Sequence, residues 1–399
     1  MFPRDFRYYL VSRFCTGTAM TLFRAAVAWH VFALSGSAFH LGLIGLVQFI
    51  PALGLSLVGG AVADAYDRRK VMMLAQVLPL VCGTVLCIQT ERGAANLSLL
   101  YAIVLFVAVA AAFDNPSRAA LLPTLVPREV FPRAVTIAST NQALAFVTGP
   151  AVGGFVIAGA GVGVVYAVYA GLILGSLAAL LFVHSRPHEG RERTISLHAI
   201  REGLSFVRRR QVVLGCMTLD MFAVIFGGAT ALLPIYANEI LHVGARGYGF
   251  LTSSLEFGAL LTSLALTFLP PITRVGRALL IAVGVFGCAT VVFGLSRSFP
   301  LSLLAYTLVG VADQVSVVMR MTAIQLSTPD ELRGRVSSVN FIFIGASNQL
   351  GAVESGFVAA LTSAPFSVVS GGLGSLVVLA VVAVWLPELR RYRIGGRTG

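Results

Sequence analysis

The sequence predicts an all-α membrane protein: twelve transmembrane helices arranged as two pseudo-symmetric six-helix bundles. Three observations predict it. Of 399 residues, 57% are apolar and only 12% are charged, about half the charged share of an ordinary soluble domain. The apolar residues gather into twelve runs, each near the roughly 20 residues that cross a hydrocarbon core. Basic residues fall almost entirely on alternate connections between those runs.

In order, the runs cover 8–33, 41–63, 71–89, 98–119, 134–158, 163–183, 212–236, 247–269, 278–296, 301–323, 336–360 and 366–386. The first follows Arg4, Asp5 and Arg7 directly. No small-residue cleavage site follows a short apolar core, so it is expected to stay as a span. Runs 2 and 3 flank the charged hairpin Gly60–Lys70. Runs 3 and 4 are separated at Arg92, runs 4 and 5 at Arg128 and Arg133, and runs 5 and 6 by a short glycine turn at Gly159, Gly161 and Gly163. A long basic stretch, 184–211, precedes run 7. Later breaks carry Arg246, then Arg274 and Arg277, then Arg297, then Arg333 and Arg335. A basic tail with Arg390, Arg391, Arg393 and Arg397 follows run 12.

Only Arg92, Arg246 and Arg297 lie on one side of this layout, and Arg13, Arg24, Arg118 and Arg320 lie inside spans. All other basic residues lie on the opposite side, which places both termini in the cytoplasm. The formal charge of +12 therefore reads as orientation and contact with anionic headgroups, not as affinity for nucleic acid.

The chain repeats weakly at an offset of 202: Arg118 matches Arg320, Pro127 matches Pro329, Arg133 matches Arg335, Gly149 matches Gly351 and Gly154 matches Gly356. Internal repeats of this kind build paired bundles around a central site. The expected organisation is an N-terminal bundle over 1–183, a cytoplasmic linker over 184–211 and a C-terminal bundle over 212–399 with its short basic tail. Within the linker, Leu197–Val207 has helical apolar spacing suited to the membrane surface.

Several segments resemble the major facilitator superfamily. Gly60-x-x-x-Asp64-x-x-x-Arg68-Arg69 is similar to its motif A. Gly149-Pro150-x-x-Gly153-Gly154 is similar to motif C, associated there with antiporters. Phe32–Gly45 and Phe113–Pro127 resemble the twelve-span drug:proton antiporter subgroup that holds the enterobactin exporter and macrolide efflux permeases. The resemblance covers essentially the whole chain. One departure stands out: the glycine usual before the motif A arginine is Asp67 here, which should alter the turn and offer Arg68 or Arg69 a local partner. The corresponding second-half segment, Leu269–Arg277, lacks the acidic residue.

Motif A suggests a gating latch. Gly60 would let two helices approach closely. Asp64 would meet the positive N-terminus of span 11. Arg68 would pair with Asp114, which shares a helix face with Arg118 at i, i+4. Gly149, Gly153 and Gly154 would give span 5 a smooth packing surface, expected at the interface between halves, and Pro150 would bend it.

An ionisable residue inside the membrane needs a partner, a wet cavity or a proton. The intramembrane acids are Asp220, Glu256, Asp313 and Glu354; the basic residues to set beside them are Arg13 and Arg24. Helical rise puts Arg13 and Asp220 at about 8 and 12 Å from the cytoplasmic end, and Arg24 and Glu354 both at about 25 Å. Depth thus permits Arg13–Asp220 and Arg24–Glu354 pairs. The resemblance implies that spans 1, 4, 7 and 10 line the cavity, which makes Arg24, Asp220 and Asp313 the cavity candidates and puts Glu256 and Glu354 on interface helices. A carboxylate in a water-poor cavity holds its proton more readily, which suits proton exchange.

Other chemistries lack their residues. Gly159, Gly161 and Gly163 sit in a turn between spans, without the strand–helix context of a dinucleotide loop. The only lysine, Lys70, is followed by Val71, so no Walker A loop is present. The five cysteines lie in apolar runs without metal spacing, and His184 and His188 are split by Pro187. No enzyme, metal or cofactor is implied. The expectation is a monomeric secondary transporter that exports a small amphipathic molecule (a drug, siderophore or similar metabolite) in exchange for protons. The alternatives are a lipid or lysolipid flippase of the same architecture, and a non-transporting membrane receptor or assembly partner.

Overall fold

In lipid a backbone N–H or C=O has no water to bond, so a spanning chain satisfies these groups within helices. The computed structural model describes residues 2–184, 204–270, 272–329 and 332–393, and among them all regular structure is helical. Twelve long segments follow one another: α1 (Arg4–Ser35), α2 (Ala38–Ala65), α3 (Arg68–Glu91), α4 (Leu97–Leu121), α5 (Phe131–Ala160), α6 (Val162–Leu181), α7 (Gln211–Phe226), α8 (Gly244–Phe268), α9 (Val275–Leu295), α10 (Phe299–Ser327), α11 (Arg333–Leu361) and α12 (Ala364–Trp385). A five-residue helix, α13 (Pro387–Arg391), ends the described chain. Among the described residues, ten segments are long and apolar enough to cross a membrane. The other two, α2 and α11, are 28 and 29 residues long. Most of the expected amphipathic stretch Leu197–Val207 and the end of the basic tail lie outside the described residues; 204–209 is helical.

Local chemistry sets the boundaries. Gly36 ends α1 in the left-handed region at φ 58°, its N–H donating to the Phe32 carbonyl at 2.8 Å; a side chain there would be strained. The Asn96 side chain accepts from Leu99 N at 3.0 Å and caps α4. Beyond Phe226, α7 loses its regular form at Gly227 and Gly228 and continues as a 3-10 turn (Ala229–Leu232), one α turn (Leu233–Ile235) and a π turn (Tyr236–Ile240).

The chain divides into two compact units. The first comprises Met1–His40, Val47–Thr194 and His242–Ser253; the second comprises Leu41–Leu46, Ile195–Leu241 and Ser254–Gly399. Within the first, α1 packs on α5 and α6, and α3 packs on α4 and α6. Tyr9, Tyr166 and Tyr169 are fully buried there. Two of the three hydroxyls find partners: Tyr9 donates to the Arg118 carbonyl at 3.2 Å, and Tyr166 Oη lies 3.0 Å from His30 Nδ1. Within the second unit, α9 packs on α10 and α12, and α7 packs on α11 and α12, around a core that includes Met217, Leu279, Met319 and Val382. Leu74, Ile281, Leu304 and Val377 face outward and are more than half exposed, which suits acyl chains and not water.

Glycines of α5 set the approach of α1. A Cβ on Gly149 would stand 2.7 Å from the Thr18 carbonyl oxygen and 2.9 Å from Leu22 N, whereas one on Gly159 would meet nothing within 4 Å. We expect Gly149→Leu to cost at least about 1–3 kcal/mol by overpacking, read as a fall of several degrees in the unfolding temperature of the detergent-purified protein. Gly159→Ala should leave that temperature unchanged.

Candidate functional site

The face of α1 formed by Arg13, Thr16, Gly17, Met20, Thr21 and Arg24 recurs at steps of three and four, as a single helical stripe must. On α4 the same spacing unites Val107, Ala110, Ala111, Asp114, Asn115 and Arg118. Gln76 and Pro79 of α3, and Gln142 and Phe146 of α5, complete the walls of a cavity of about 180 Å³ inside the first unit. The lining carries three arginines and one carboxylate. Apolar and polar groups alternate around it, the composition of a site for an amphipathic small molecule.

Its centre is a buried ion pair. Arg118 Nε donates to Asp114 Oδ2 at 3.0 Å and Nη2 to Asp114 Oδ1 at 3.2 Å, and both side chains are less than a tenth exposed. Gln76 Nε2 donates to Asp114 Oδ1 at 2.9 Å. The outer guanidinium nitrogens reach α1, Nη1 to Ser12 Oγ at 3.3 Å and Nη2 to Thr16 Oγ1 at 3.2 Å. Ser176 of α6 is 2.7 Å from both hydroxyls. One positive charge thereby organises α1, α3, α4 and α6. Arg13, half-buried, donates to Tyr9 Oη at 2.9 Å and to Gln142 Oε1, both neutral partners. Arg24 is exposed on the cavity wall.

In the second unit the repeat-related arginine, Arg320 of α10, is also buried, and its counter-ion is Asp220 of α7. The depth-based expectation that Asp220 would pair with Arg13 is therefore corrected: helix depth constrains height only, and the Asp220 carboxylate is engaged by Arg320 within its own unit. Asp313 (α10) and Glu256 (α8) are half-buried. Glu354 of α11 accepts from Ser355 Oγ at 3.3 Å.

The motif A turn is built differently from its sequence reading. Among the described residues the partners of Asp114 are Gln76 and Arg118, not the expected Arg68. Arg68 instead donates to the Ala63 carbonyl at 3.3 Å and the Ala120 carbonyl at 3.0 Å, tying the turn to the end of α4. Arg69 donates to the Leu181 carbonyl at 2.9 Å, tying it to the end of α6. Asp67 caps α3, accepting from Arg69 N at 3.0 Å. Close approach of α2 to α4 occurs at Gly59, where a Cβ would stand 3.3 Å from Phe113 Cα; Gly60 is its neighbour. The Asp64 side chain lies outside the described residues. On α5, Gly149 and Gly153 face α1, Pro150 is buried, and Gly154 meets Gly249 of α8 within the first unit, its Cβ position 2.6 Å from Gly249 Cα.

Gln76, Ser12, Thr16 and Ser176 were missed from sequence. An amide in the middle of the apolar run of α3 is a usable signal for Gln76. The hydroxyls carried none, since serine and threonine are common in membrane helices and bond their own backbone.

The family described as transmembrane secretion effector matches residues 4–393. The enterobactin exporter EntS of Escherichia coli O1:K1 / APEC is 27% identical over 390 residues, covering 97% of this chain and 93% of that protein. EntS of Escherichia coli O81 (strain ED1a) is 26% identical over 389 residues with the same coverage. Among solved structures, the nucleoside transporter NupG has the same fold, with a TM-score of 0.77 at 11% identity over 96% of this chain and 99% of that one. A bacterial homologue of the human lysosomal transporter Spinster gives a TM-score of 0.75 at 14% identity over 98% of each.

Removing one partner of a buried pair strands the other charge. Asp114→Asn should therefore cost about 3–5 kcal/mol, measured by thermal unfolding in detergent. The double variant Asp114→Asn/Arg118→Met should recover much of that loss, because no buried charge remains.

Proposed function

The chain belongs to the transmembrane secretion effector family of the major facilitator superfamily and is an export transporter of a small molecule, and from that premise we propose that it expels an amphipathic, acceptor-rich compound in exchange for protons. The observation that carries the substrate reading is Arg13: a half-buried guanidinium in the cavity wall whose partners among the described residues, Tyr9 and Gln142, are neutral. Such a group favours a ligand bearing carboxylate, catecholate or similar oxygens, while Met20, Val107 and Phe146 offer apolar contact. Enterobactin export by relatives named EntS makes enterobactin, a catecholate siderophore, the first compound to test.

In this reading all twelve long helices cross a bacterial inner membrane, both termini are cytoplasmic, and a monomer works by alternating access. Residues 1–183 and 212–399 form the two bundles, joined by 184–211. Coupling falls to the intramembrane carboxylates. A proton on Asp220 would release Arg320 from its counter-ion and loosen α7 from α10. Asp313, half-buried on α10 and without an ion pair among the described residues, would take up a proton without breaking one. Glu256 and Glu354 are the secondary candidates. The motif A group, Asp64, Arg68 and Arg69 with Asp114 and Arg118, would hold the cytoplasmic gate by binding helix ends. The glycines at 149, 153 and 154 would keep α5 free to slide.

Transport in everted vesicles tests this. Asp313→Asn should abolish efflux driven by a pH gradient while leaving expression and unfolding temperature near wild type; full activity in the double variant Asp220→Asn/Asp313→Asn would refute the coupling assignment. Loss of one charge-assisted contact predicts that Arg13→Gln weakens binding of a catecholate siderophore by roughly 10- to 100-fold, read by ligand-induced thermal shift. Binding of a neutral dye should change little.

A further inference from the structure

A second cavity, of about 220 Å³, lies in the second unit where the start of α9 meets α13. It is lined by Arg274, Arg277, Arg390, Arg391, Tyr392 and Arg393. We propose that it binds the phosphate headgroup of an anionic phospholipid.

The charge arrangement is built, not scattered. The Gly276 N–H donates to the Tyr392 carbonyl at 3.3 Å, and a Cβ on Gly276 would stand 2.9 Å from the Leu389 carbonyl carbon. Leu389 is itself buried in the core with Val275 and Leu279. Two arms of chain are thus clamped together at their backbones, and each presents its arginines to the same space. Five guanidinium groups share that space, and among the described residues none of them is ion-paired with a carboxylate, the nearby Glu388 included. Like charges held this close are stabilised by an anion, and guanidinium matches phosphate oxygens in bidentate fashion.

The surroundings select a lipid over a soluble anion. One arm enters the cavity from Phe268 and Leu269, the other from Val384 and Trp385. These four residues are 86%, 58%, 74% and 77% exposed. Both approaches are therefore apolar and outward-facing, with a tryptophan at the level where such rings meet headgroups. A ligand seated among the arginines has acyl-compatible surface on either side. The inference depends on the membrane embedding of the chain and not on any transported substrate, so its failure would leave the export reading intact.

Native mass spectrometry of the full-length protein in detergent, titrated with phosphatidylglycerol, cardiolipin and phosphatidylcholine, tests it. The two anionic lipids should be retained in preference to phosphatidylcholine; equal retention of all three overturns the proposal. Arg277→Gln/Arg390→Gln/Arg393→Gln should weaken phosphatidylglycerol binding at least about tenfold. Arg208→Gln/Arg209→Gln/Arg210→Gln, which removes the same charge elsewhere, should leave it unchanged, and an equal loss in both variants would reduce the effect to net charge. The single exposed changes Arg277→Gln and Arg393→Gln, expected to weaken binding about threefold each, keep the test available if the triple variant folds poorly. Gly276→Val retains every charge but separates the arms, and should also weaken binding. Inorganic phosphate distinguishes the sources: saturable phosphate binding that phosphatidylglycerol does not displace assigns the cavity to a free anion and overturns the lipid assignment, whereas displacement, or no phosphate binding beside retained lipid, supports it.

Discussion

A guanidinium inside a bilayer costs at least roughly 2.5–3.5 kcal/mol even on the mild insertion scale, and the interior of each unit is organised around meeting that cost. Arg118 and Arg320 occupy equivalent places in the internal repeat, and both are buried. Their neutralisation differs. Asp114 lies one turn away on the same helix, so that pair holds no second helix by itself, and neutral hydroxyls on α1 and an amide on α3 do the joining. Asp220 lies on α7, so the pair itself joins α7 to α10. Protonating Asp220 would therefore act on a joint between helices. Protonating Asp114 would first disturb a single helix and its hydrogen-bonded neighbours.

The helices were legible in the sequence because one strong signal, long apolar runs broken by charge, governs a membrane chain. The boundaries moved by several residues. For α1 the described helix begins at Arg4, not residue 8, since polar residues continue a helix into the headgroup layer without loss of backbone bonds. Among the residues of the cavity and the buried pairs, Arg118, Asp220 and Arg24 are also legible, because an intramembrane charge is conspicuous, and Asp114 through its i, i+4 spacing to Arg118. Their pairings were not. Depth along a helix follows from counting residues, but rotation about its axis and the choice of neighbour depend on packing. Asp220 accordingly met Arg320 where counting had offered Arg13. Ser12, Thr16 and Ser176 show the complementary failure: their importance comes wholly from what stands opposite them.

The motif A turn illustrates how a departure from a family pattern can be absorbed. Asp67 has φ −58°, a conformation that any residue adopts, so nothing at that position requires a glycine. Its carboxylate caps the first turn of α3 instead. The adjacent arginines then extend to carbonyls at the ends of α4 and α6, groups that a helix C-terminus leaves without internal partners. The turn is thus tied to two neighbouring helix ends through backbone acceptors.

The end of α7 has a consequence of its own. A 3-10 turn winds more tightly than an α turn and a π turn more loosely, and here they follow one another on either side of a single ordinary turn. Over-winding and under-winding offset each other, so the peptide between Gly228 and Leu241 delivers little net twist to what lies beyond. The segment is pinned at the start of its π turn, where the Tyr236 hydroxyl donates to the Gly294 carbonyl at 3.0 Å, and the helix before it is pinned by Asp220 and its partner.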